Sequence, residues 1–435
     1  MHRSPGQPVL HRRIRIPEDL LQTGGDPPYG GDIRIGDLTG NGSADFVAHR
    51  SAEDGLKPCF LAAFTVEGET LWRFGEGGEQ PARPGPVTVH DIDGDGRAEV
   101  ICFFLDSRAD PCPSSLCSVL VQVRDGASGE VLKQATPNEI RSRSGSGSNW
   151  VHQRLLVANL RGGPVGRDIV IKLGERVVAL DENLNVLWTY PIRWNDYGRC
   201  SAYIPAVGDI DGDGCDEVTG GYYLLDHDGR PLWEKQIAPH MDSVAVAEWD
   251  RGAVRVIASG GGHVLDEKGN VILGLGEDVV PHGQEVRVAR FTAEARGPQM
   301  TIRYNGHHPD VMLVDNDGRI LKRFRVNPSP NNTGMEAVFW NGPDSPALLY
   351  NGGALWDGSG RRFADLPGLP PPVGDARMGW YHCIPANVCG DKREELVLFN
   401  PWSDFVSIYT PFPLDETAFT GYHATPRQYN ARMMD

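Results

Sequence analysis

No run of about eighteen apolar residues occurs in this chain of 435, so no segment reads as a membrane-spanning helix. The start, Met1-His-Arg-Ser-Pro-Gly-Gln-Pro8 followed by His11-Arg-Arg-Ile-Arg15, has no apolar stretch of the kind a secretory signal needs. The expectation is a cytoplasmic protein, or a secreted one if the N-terminus has been trimmed, and no membrane partner. Basic charge is scarce: 42 Lys and Arg stand against 58 Asp and Glu, for a net charge of −16. That balance argues against a nucleic-acid partner, which usually shows as basic excess. It leaves an anionic ligand open, because the local field of a cleft outweighs the sum. The 8 cysteines contain no Cys-x-x-Cys pair and read as small buried hydrophobes. No Gly-x-Ser-x-Gly elbow, phosphate-binding loop or His-Glu-x-x-His motif is present. No amphipathic segment is long enough to build a helical second domain.

Turn formers, by contrast, are plentiful, with 53 Gly and 33 Pro. One short phrase returns seven times: an acidic or amide residue, a glycine or asparagine, then an apolar pair that is often Leu-Trp. Examples are Val66-Glu-Gly-Glu-Thr-Leu-Trp72, Asp125-Gly-Ala-Ser-Gly-Glu-Val-Leu132 and Asp181-Glu-Asn-Leu-Asn-Val-Leu-Trp188. It returns as Asp226-His-Asp-Gly-Arg-Pro-Leu-Trp233, Asp266-Glu-Lys-Gly-Asn-Val-Ile272, Asp315-Asn-Asp-Gly-Arg-Ile-Leu321 and Asp357-Gly-Ser-Gly-Arg-Arg-Phe363. Each reads as a β-hairpin, since Asp/Asn-Gly pairs tolerate the positive φ of tight turns. Upstream of each lies an apolar strand, an acidic turn and a second apolar strand, clearest at residues 87–101, 205–218 and 33–47. Weaker copies run over 155–171, 244–257, 286–302, 337–349 and 384–398, which makes eight strand pairs.

A period of roughly 40–50 residues built from short strands is the signature of a propeller. The expectation is an all-β chain forming one β-propeller over residues 1–435, with eight blades, or seven if one copy only completes a shared blade. The segment 1–28 and the tail 412–435 are expected to pack on the ring. Phe405–Tyr409 reads as the outer strand of the eighth blade.

Two acidic turns match residue for residue: Asp91, Asp93, Asp95 and Glu99, then Asp209, Asp211, Asp213 and Glu217. Carboxylates at alternate positions with a glycine for the bend can wrap Ca²⁺. The competing reading is a turn that uses its carboxylates to cap its own amides. Either way these turns lie between the first and second strands, on the face opposite the strand entries.

Other polar residues gather at loops expected on that entry face. Trp150, His152, Arg199, Tyr203, His240, His282 and His382 precede inner strands. His49, Tyr222, His263, Arg303, Tyr304, His307 and His308 follow second strands. Loops held on a rigid scaffold carry function. His240-x-Asp242 and His282-x-x-Glu285 come from neighbouring repeats and offer two imidazoles and two carboxylates. Such a set could hold Ca²⁺ or Mn²⁺, or Zn²⁺ with a different geometry. The arginines and tyrosines suit anion recognition and sugar stacking.

The acidic turns, the Asp-Gly-x-x-Leu-Trp hairpins and the His-x-Asp and His-Gly-Gln loops together resemble the β-propeller polysaccharide lyases. The nearest in pattern are the eight-bladed rhamnogalacturonan lyases; the ulvan and rhamnose–glucuronate lyases are related in style. The resemblance implies an anionic glycan as substrate, cleaved by β-elimination beside a uronic acid. It implies a cleft Ca²⁺ on His240, Asp242, His282 and Glu285, with Mn²⁺ or Zn²⁺ as alternatives. For the elimination the candidates are His152 or His240 as base, Tyr203 as acid, and Arg199 or Arg303 on the carboxylate. Trp150, Tyr222, Tyr304, His307, His308 and His382 are candidates for holding the sugar. Three rivals remain. A calcium-stabilised binding propeller would explain the acidic turns. A quinoprotein would explain the Leu-Trp phrase. A glycoside hydrolase could draw on Asp242, Glu285 and Asp310.

Overall fold

Eight separate antiparallel sheets follow one another along the chain in the computed structural model. It describes residues 6–16, 31–50, 61–75, 86–105, 117–142, 154–173, 175–194, 199–326, 334–372, 381–400, 403–414 and 421–431. Trp150 and His152 lie outside the described residues. Blade 1 spans residues 31–74, blade 2 residues 87–142, blade 3 residues 154–191 and blade 4 residues 206–234. Blades 5, 6 and 7 span 244–274, 285–325 and 336–365. Blade 8 spans 382–410 and takes its fourth strand, Val9–Arg15, from the other end of the chain. Blade 2 holds five strands, because the short strand Arg141–Ser142 also pairs with Cys117–Arg124. The architecture is an all-β propeller of eight blades.

One sequence reading needs correcting here. Phe405–Thr410 is the third strand of blade 8, and the edge beyond it is Val9–Arg15, with Ile14 opposite Val406. Pairing the first strand with the last blade hydrogen-bonds the two ends of the ring together and covers what would be an exposed sheet edge.

Burial follows strand position. The inner strands Arg154–Ala158 and His382–Ala386 are buried at every residue, which is why they read as continuous apolar runs. Fourth strands alternate, as in Val186–Pro191, where one face meets solvent. The core lies between adjacent sheets. Ile33, Phe46 and Phe64 of blade 1 pack with Ile384, Val397 and Val406 of blade 8.

The recurrent phrase has a packing reason. Each hairpin glycine adopts a positive φ, for example 81° at Gly229 and 76° at Gly269. At Gly129, Gly229, Gly269 and Gly360 an aromatic from the last strand of the preceding blade lies directly against the glycine; at Gly318 it is Leu273. A Cβ on Gly229 would sit 2.6 Å from the Trp188 ring, and one on Gly269 would sit 2.8 Å from Trp233. Trp188 also donates its indole N–H to the His227 carbonyl at 2.8 Å, and Trp72 donates to Gly126 at 2.7 Å. The Leu-Trp phrase is therefore an inter-blade latch. This accounts for it without the quinone cofactor of the rival reading. Blade 3 is the exception: Leu184 takes the positive φ, 65°, that glycine takes elsewhere.

The tail enters the ring from the acidic-turn face. Gly421 and Tyr422 donate backbone N–H groups to the Gly42 carbonyl, both at 2.9 Å. A one-turn helix, Pro426–Tyr429, then packs against inner strands of blades 1, 2, 3 and 8. Asn430 both donates to and accepts from the backbone of Val157, each at 2.8 Å. Arg427 reaches Glu394 and the Ala337 carbonyl. Between this plug and the inner strands of blades 3 to 7 remains a cavity of about 330 Å³.

Candidate functional site

Strand direction alternates through each blade, so segments entering first strands and segments joining second to third strands share one face of the ring. His240 and Asp242 lie in the segment entering Val244–Asp250 of blade 5. His282 lies in the segment entering Glu285–Ala289 of blade 6. His307 lies between Gln299–Arg303 and Asp310–Asp315 of blade 6.

Met241, fully buried in the core between blades 4 and 5, anchors its segment. Its sulfur receives the Gly260 N–H at 3.4 Å. In an extended chain residues i and i+2 point the same way, so His240 and Asp242 emerge together. His282 is fixed by its backbone, which donates to the Tyr304 carbonyl at 3.2 Å and accepts from Gly306 at 2.9 Å. The result is a three-residue cluster. Asp242 receives His240 Nε2 at 2.7 Å on one oxygen and His282 Nε2 at 2.8 Å on the other. The Asp242 side chain is 3% exposed, against 22% for His240 and 37% for His282. The carboxylate is thus a buried hub with two imidazoles facing the ring mouth.

Further groups flank the hub. The Cys200 sulfur lies 3.8 Å from His240 Nδ1. Tyr203 presents its ring edge-on to His240 at 6.3 Å, and His307 lies 5.9 Å from His282 between ring centroids. Burial opposes charge on His240, but hydrogen bonds to Asp242 and Cys200, with the Asp242 charge, raise its pKa above the usual imidazole range. One donor atom from each of His240, Asp242 and His282 lies within 4.8 Å of the others, so the three could hold a metal ion.

The remaining expected residues divide. Arg199 is exposed, one residue before Cys200, and His307 and His308 are exposed. Tyr304 is half-buried under the Arg323 guanidinium, 5.5 Å from its ring. Four others lie in the packing beneath the face. Arg303 is fully buried, with a guanidinium nitrogen 3.4 Å from the Asn351 oxygen. Tyr222 is fully buried and donates its hydroxyl to Ala238 at 2.7 Å. His382 is fully buried in the first strand of blade 8. Glu285 is fully buried, accepts the Met335 N–H at 2.8 Å and stands apart from the histidine cluster. These four close the ends of strands, where a polar residue must find an internal partner once buried.

The acidic turns fall on the opposite face. Asp91 accepts N–H groups from Gly94 at 2.7 Å and Gly96 at 2.9 Å, so the carboxylate caps its own turn. Asp91, Asp93 and Glu99 form one set with donors within 4.8 Å, and Asp209, Asp211 and Glu217 form another. Asp95 is turned instead to Arg97, at 2.9 Å. Burial, reinforced by neighbouring aspartates, pushes Glu99 and Glu217 up to about 7.

Two residues near the hub were not anticipated. Cys200 was read only as a small hydrophobe. Lys172, on the second strand of blade 3, is 3% exposed, and burial lowers its pKa to about 8. A lysine inside a buried β-run was a signal available in the sequence.

Comparison with known proteins bears on the chemistry. No family model matches the chain. It is 23% identical over 483 aligned positions to the rhamnogalacturonan exolyase YesX of Bacillus subtilis (strain 168), covering 94% of this chain and 76% of that protein. It is 23% identical to the rhamnogalacturonan endolyase YesW of the same organism over 51% of this chain and 42% of that protein. Among solved structures, a Bacillus licheniformis rhamnogalacturonan lyase superposes with a TM-score of 0.70 at 20% identity, over 97% of this chain and 78% of that one. The V. cholerae biofilm matrix protein Bap1 superposes with a TM-score of 0.64 at 13% identity, over 98% of this chain and 94% of that one. Fold by itself therefore does not separate a lyase from a matrix protein. The sequence likeness to the rhamnogalacturonan exolyase runs through most of the chain, and what the solved structures share with this chain is the β-propeller fold.

Proposed function

We propose that this protein is a polysaccharide lyase that cleaves a rhamnose–uronate linkage by β-elimination on the face where His240, Asp242 and His282 meet. The observation that carries the reading is this hub: one buried carboxylate orients two imidazoles at the mouth of a fold shared with lyases.

β-Elimination takes the proton from C5 of a uronic acid and expels the sugar on O4. Charge builds on the uronate carboxylate as the proton leaves, so the site must offer positive charge and a base. Arg199, exposed beside the hub, suits the uronate carboxylate. Asp242 fixes both imidazoles through Nε2; His240, held protonated by Asp242, adds positive charge beside the uronate carboxylate, and His282 is the ring that takes the proton, its imidazolium stabilised by Asp242. Tyr203, largely buried with its ring edge-on to His240, is our candidate to protonate the departing O4. Exposed His307 and His308 lie where a neighbouring sugar would pass.

His240, Asp242 and His282 also fit a divalent cation, which when bound would supply positive charge beside the uronate carboxylate. Two imidazoles and one carboxylate suit Mn²⁺ or Zn²⁺ by donor type, whereas Ca²⁺ takes oxygen ligands and would draw on Asp242 alone among them. The atoms that would hold the ion are the ones now hydrogen-bonded to each other, so ion and hydrogen bonds exclude one another.

Mass analysis of products from rhamnogalacturonan, ulvan and gum arabic fragments tests the reaction type. The expected products are an unsaturated uronate end and an intact sugar, with no water added. Saturated products whose masses sum to the substrate plus one water would mean hydrolysis. Unchanged fragments that nonetheless bind would support the carbohydrate-binding reading.

A further inference from the structure

Blades 2 and 4 carry matching acidic turns, and the fold sets beside each the hairpin between the third and fourth strands of the same blade. Their charge balance differs. In blade 2 the residue after the second glycine is Arg97, bonded to Asp95 at 2.9 Å and attracted by Asp125 of the adjacent hairpin. In blade 3 Arg161 lies 2.8 Å from Asp168 and also pairs with Glu182 of its hairpin. A guanidinium thus serves the junction of turn and hairpin in both blades. Blade 4 has Cys215 in the place of Arg97, and its hairpin brings His227 to the junction. Asp209, Asp211, Asp213, Asp216, Glu217, Asp226 and Asp228 crowd this corner, and Arg230 is committed to Asp226 at 2.6 Å.

The donors converge. His227 Nδ1 lies 3.5 Å from an Asp213 oxygen and 2.9 Å from an Asp226 oxygen. One donor atom each from Asp213, Cys215 and His227 lies within 4.8 Å of the other two, and the same holds for Glu217, Asp226 and His227. Glu217 supplies an independent sign. It is fully buried; one oxygen accepts the Ile210 N–H at 2.7 Å, while the other has no partner among the described residues. An unpaired carboxylate oxygen in a buried position is costly unless a cation or donor meets it.

We propose that this corner of blade 4 is a metal site for a borderline divalent cation of the Zn²⁺ class, held by Asp213, Cys215 and His227 with Asp226 and Glu217 behind them. Thiolate and imidazole select Zn²⁺ and its neighbours over Ca²⁺, which the all-oxygen turn of blade 2 suits better. The bound ion cross-links turn and hairpin, as Arg161 does in blade 3. Its place on the face opposite the histidine hub makes it structural. It also explains Cys215 as the one described free cysteine that is not buried.

Titrating the full chain with Co²⁺, a spectroscopic stand-in for Zn²⁺, tests this. Expected is a thiolate-to-cobalt charge-transfer band that saturates at one equivalent. Cys215→Ser should abolish it, His227→Gln should weaken binding at least tenfold, and Cys200→Ser, beside the hub, should leave it unchanged. In an Asp242→Asn background, which removes the hub's carboxylate, Zn²⁺ should raise the melting temperature with Cys215 present but not with Cys215→Ser, and metal-free melting of each variant checks its folding. Absence of the band, its survival in Cys215→Ser, or equal competition by Ca²⁺ would overturn the proposal.

Discussion

Replacing Asp242 by Asn probes the hub most sharply, because the two side chains have nearly the same shape. The carboxylate now accepts from His240 at 2.7 Å and from His282 at 2.8 Å while only 2% of the residue is exposed. An amide keeps one acceptor oxygen and turns an NH₂ toward the other ring. One charge-assisted bond is lost and the remaining one becomes neutral. Hydrogen bonds to charged groups contribute about 1.5–3 kcal/mol each, so a net loss of about 2 kcal/mol of stability is expected. The effect on turnover should be larger. Losing one preorganised electrostatic group typically costs about 10²–10³-fold in kcat, and that range is expected here. The assay is the initial rate of unsaturated-uronate formation on the substrate the parent cleaves best, alongside thermal melting. KM should change less than kcat, because Asp242 is buried behind the imidazoles. A variant that melts like the parent and retains kcat within about threefold would refute the hub's role, since removal of a working group of this kind costs orders of magnitude.

Other perturbations follow from the fold. Gly229→Val places a β-branched residue at φ 81° against Trp188, 2.6 Å from the new Cβ; loss of at least about 3 kcal/mol in chemical denaturation is expected, from strain plus overpacking. Glu395 is fully buried, and burial pushes it up to about 7, above the value near 4.5 it has when exposed. The native state therefore binds more protons than the unfolded state between those values. Its contribution to stability falls as pH rises through that window, by on the order of 2–3 kcal/mol. Glu395→Gln should flatten the stability-against-pH curve there, and an unchanged slope would count against the burial argument. Asn430→Ala strips two 2.8 Å bonds from the Val157 backbone inside the ring. It should cost about 1–3 kcal/mol on melting while leaving kcat on the opposite face unchanged.

The repeat was legible because turns announce themselves locally. Asp-Gly pairs and the apolar strands around them need only a window of a dozen residues, and their number gave the blades. Ring closure was not legible, since it pairs Val9 with Thr410 and neither segment carries a mark of the other. The hub was half legible. His240, Asp242 and His282 were named together from loop position, but Glu285 was grouped with them although its side chain turns to Met335 of the next blade. Arg303 and His382 misled for a related reason: a polar residue at the end of a strand reads as a loop residue, and burial depends on neighbours that only the closed ring supplies. Cys215 and His227 were passed over because each looks ordinary in its own segment. The chain brings them together only when the two turns of one blade fold side by side.

The most direct test is an ultraviolet time course for unsaturated uronate, run with rhamnogalacturonan fragments, with and without EDTA and added Ca²⁺, Mn²⁺ or Zn²⁺. Rising absorbance in the parent and its near-loss in Asp242→Asn are expected. Abolition by EDTA in both the parent and Cys215→Ser, with the melting temperature unchanged, would point to a cation at the hub. Indifference to EDTA would leave the proton chemistry to His240, His282 and Tyr203. A flat trace in every condition, or new reducing ends without the chromophore, would contradict the assignment of this protein as a lyase.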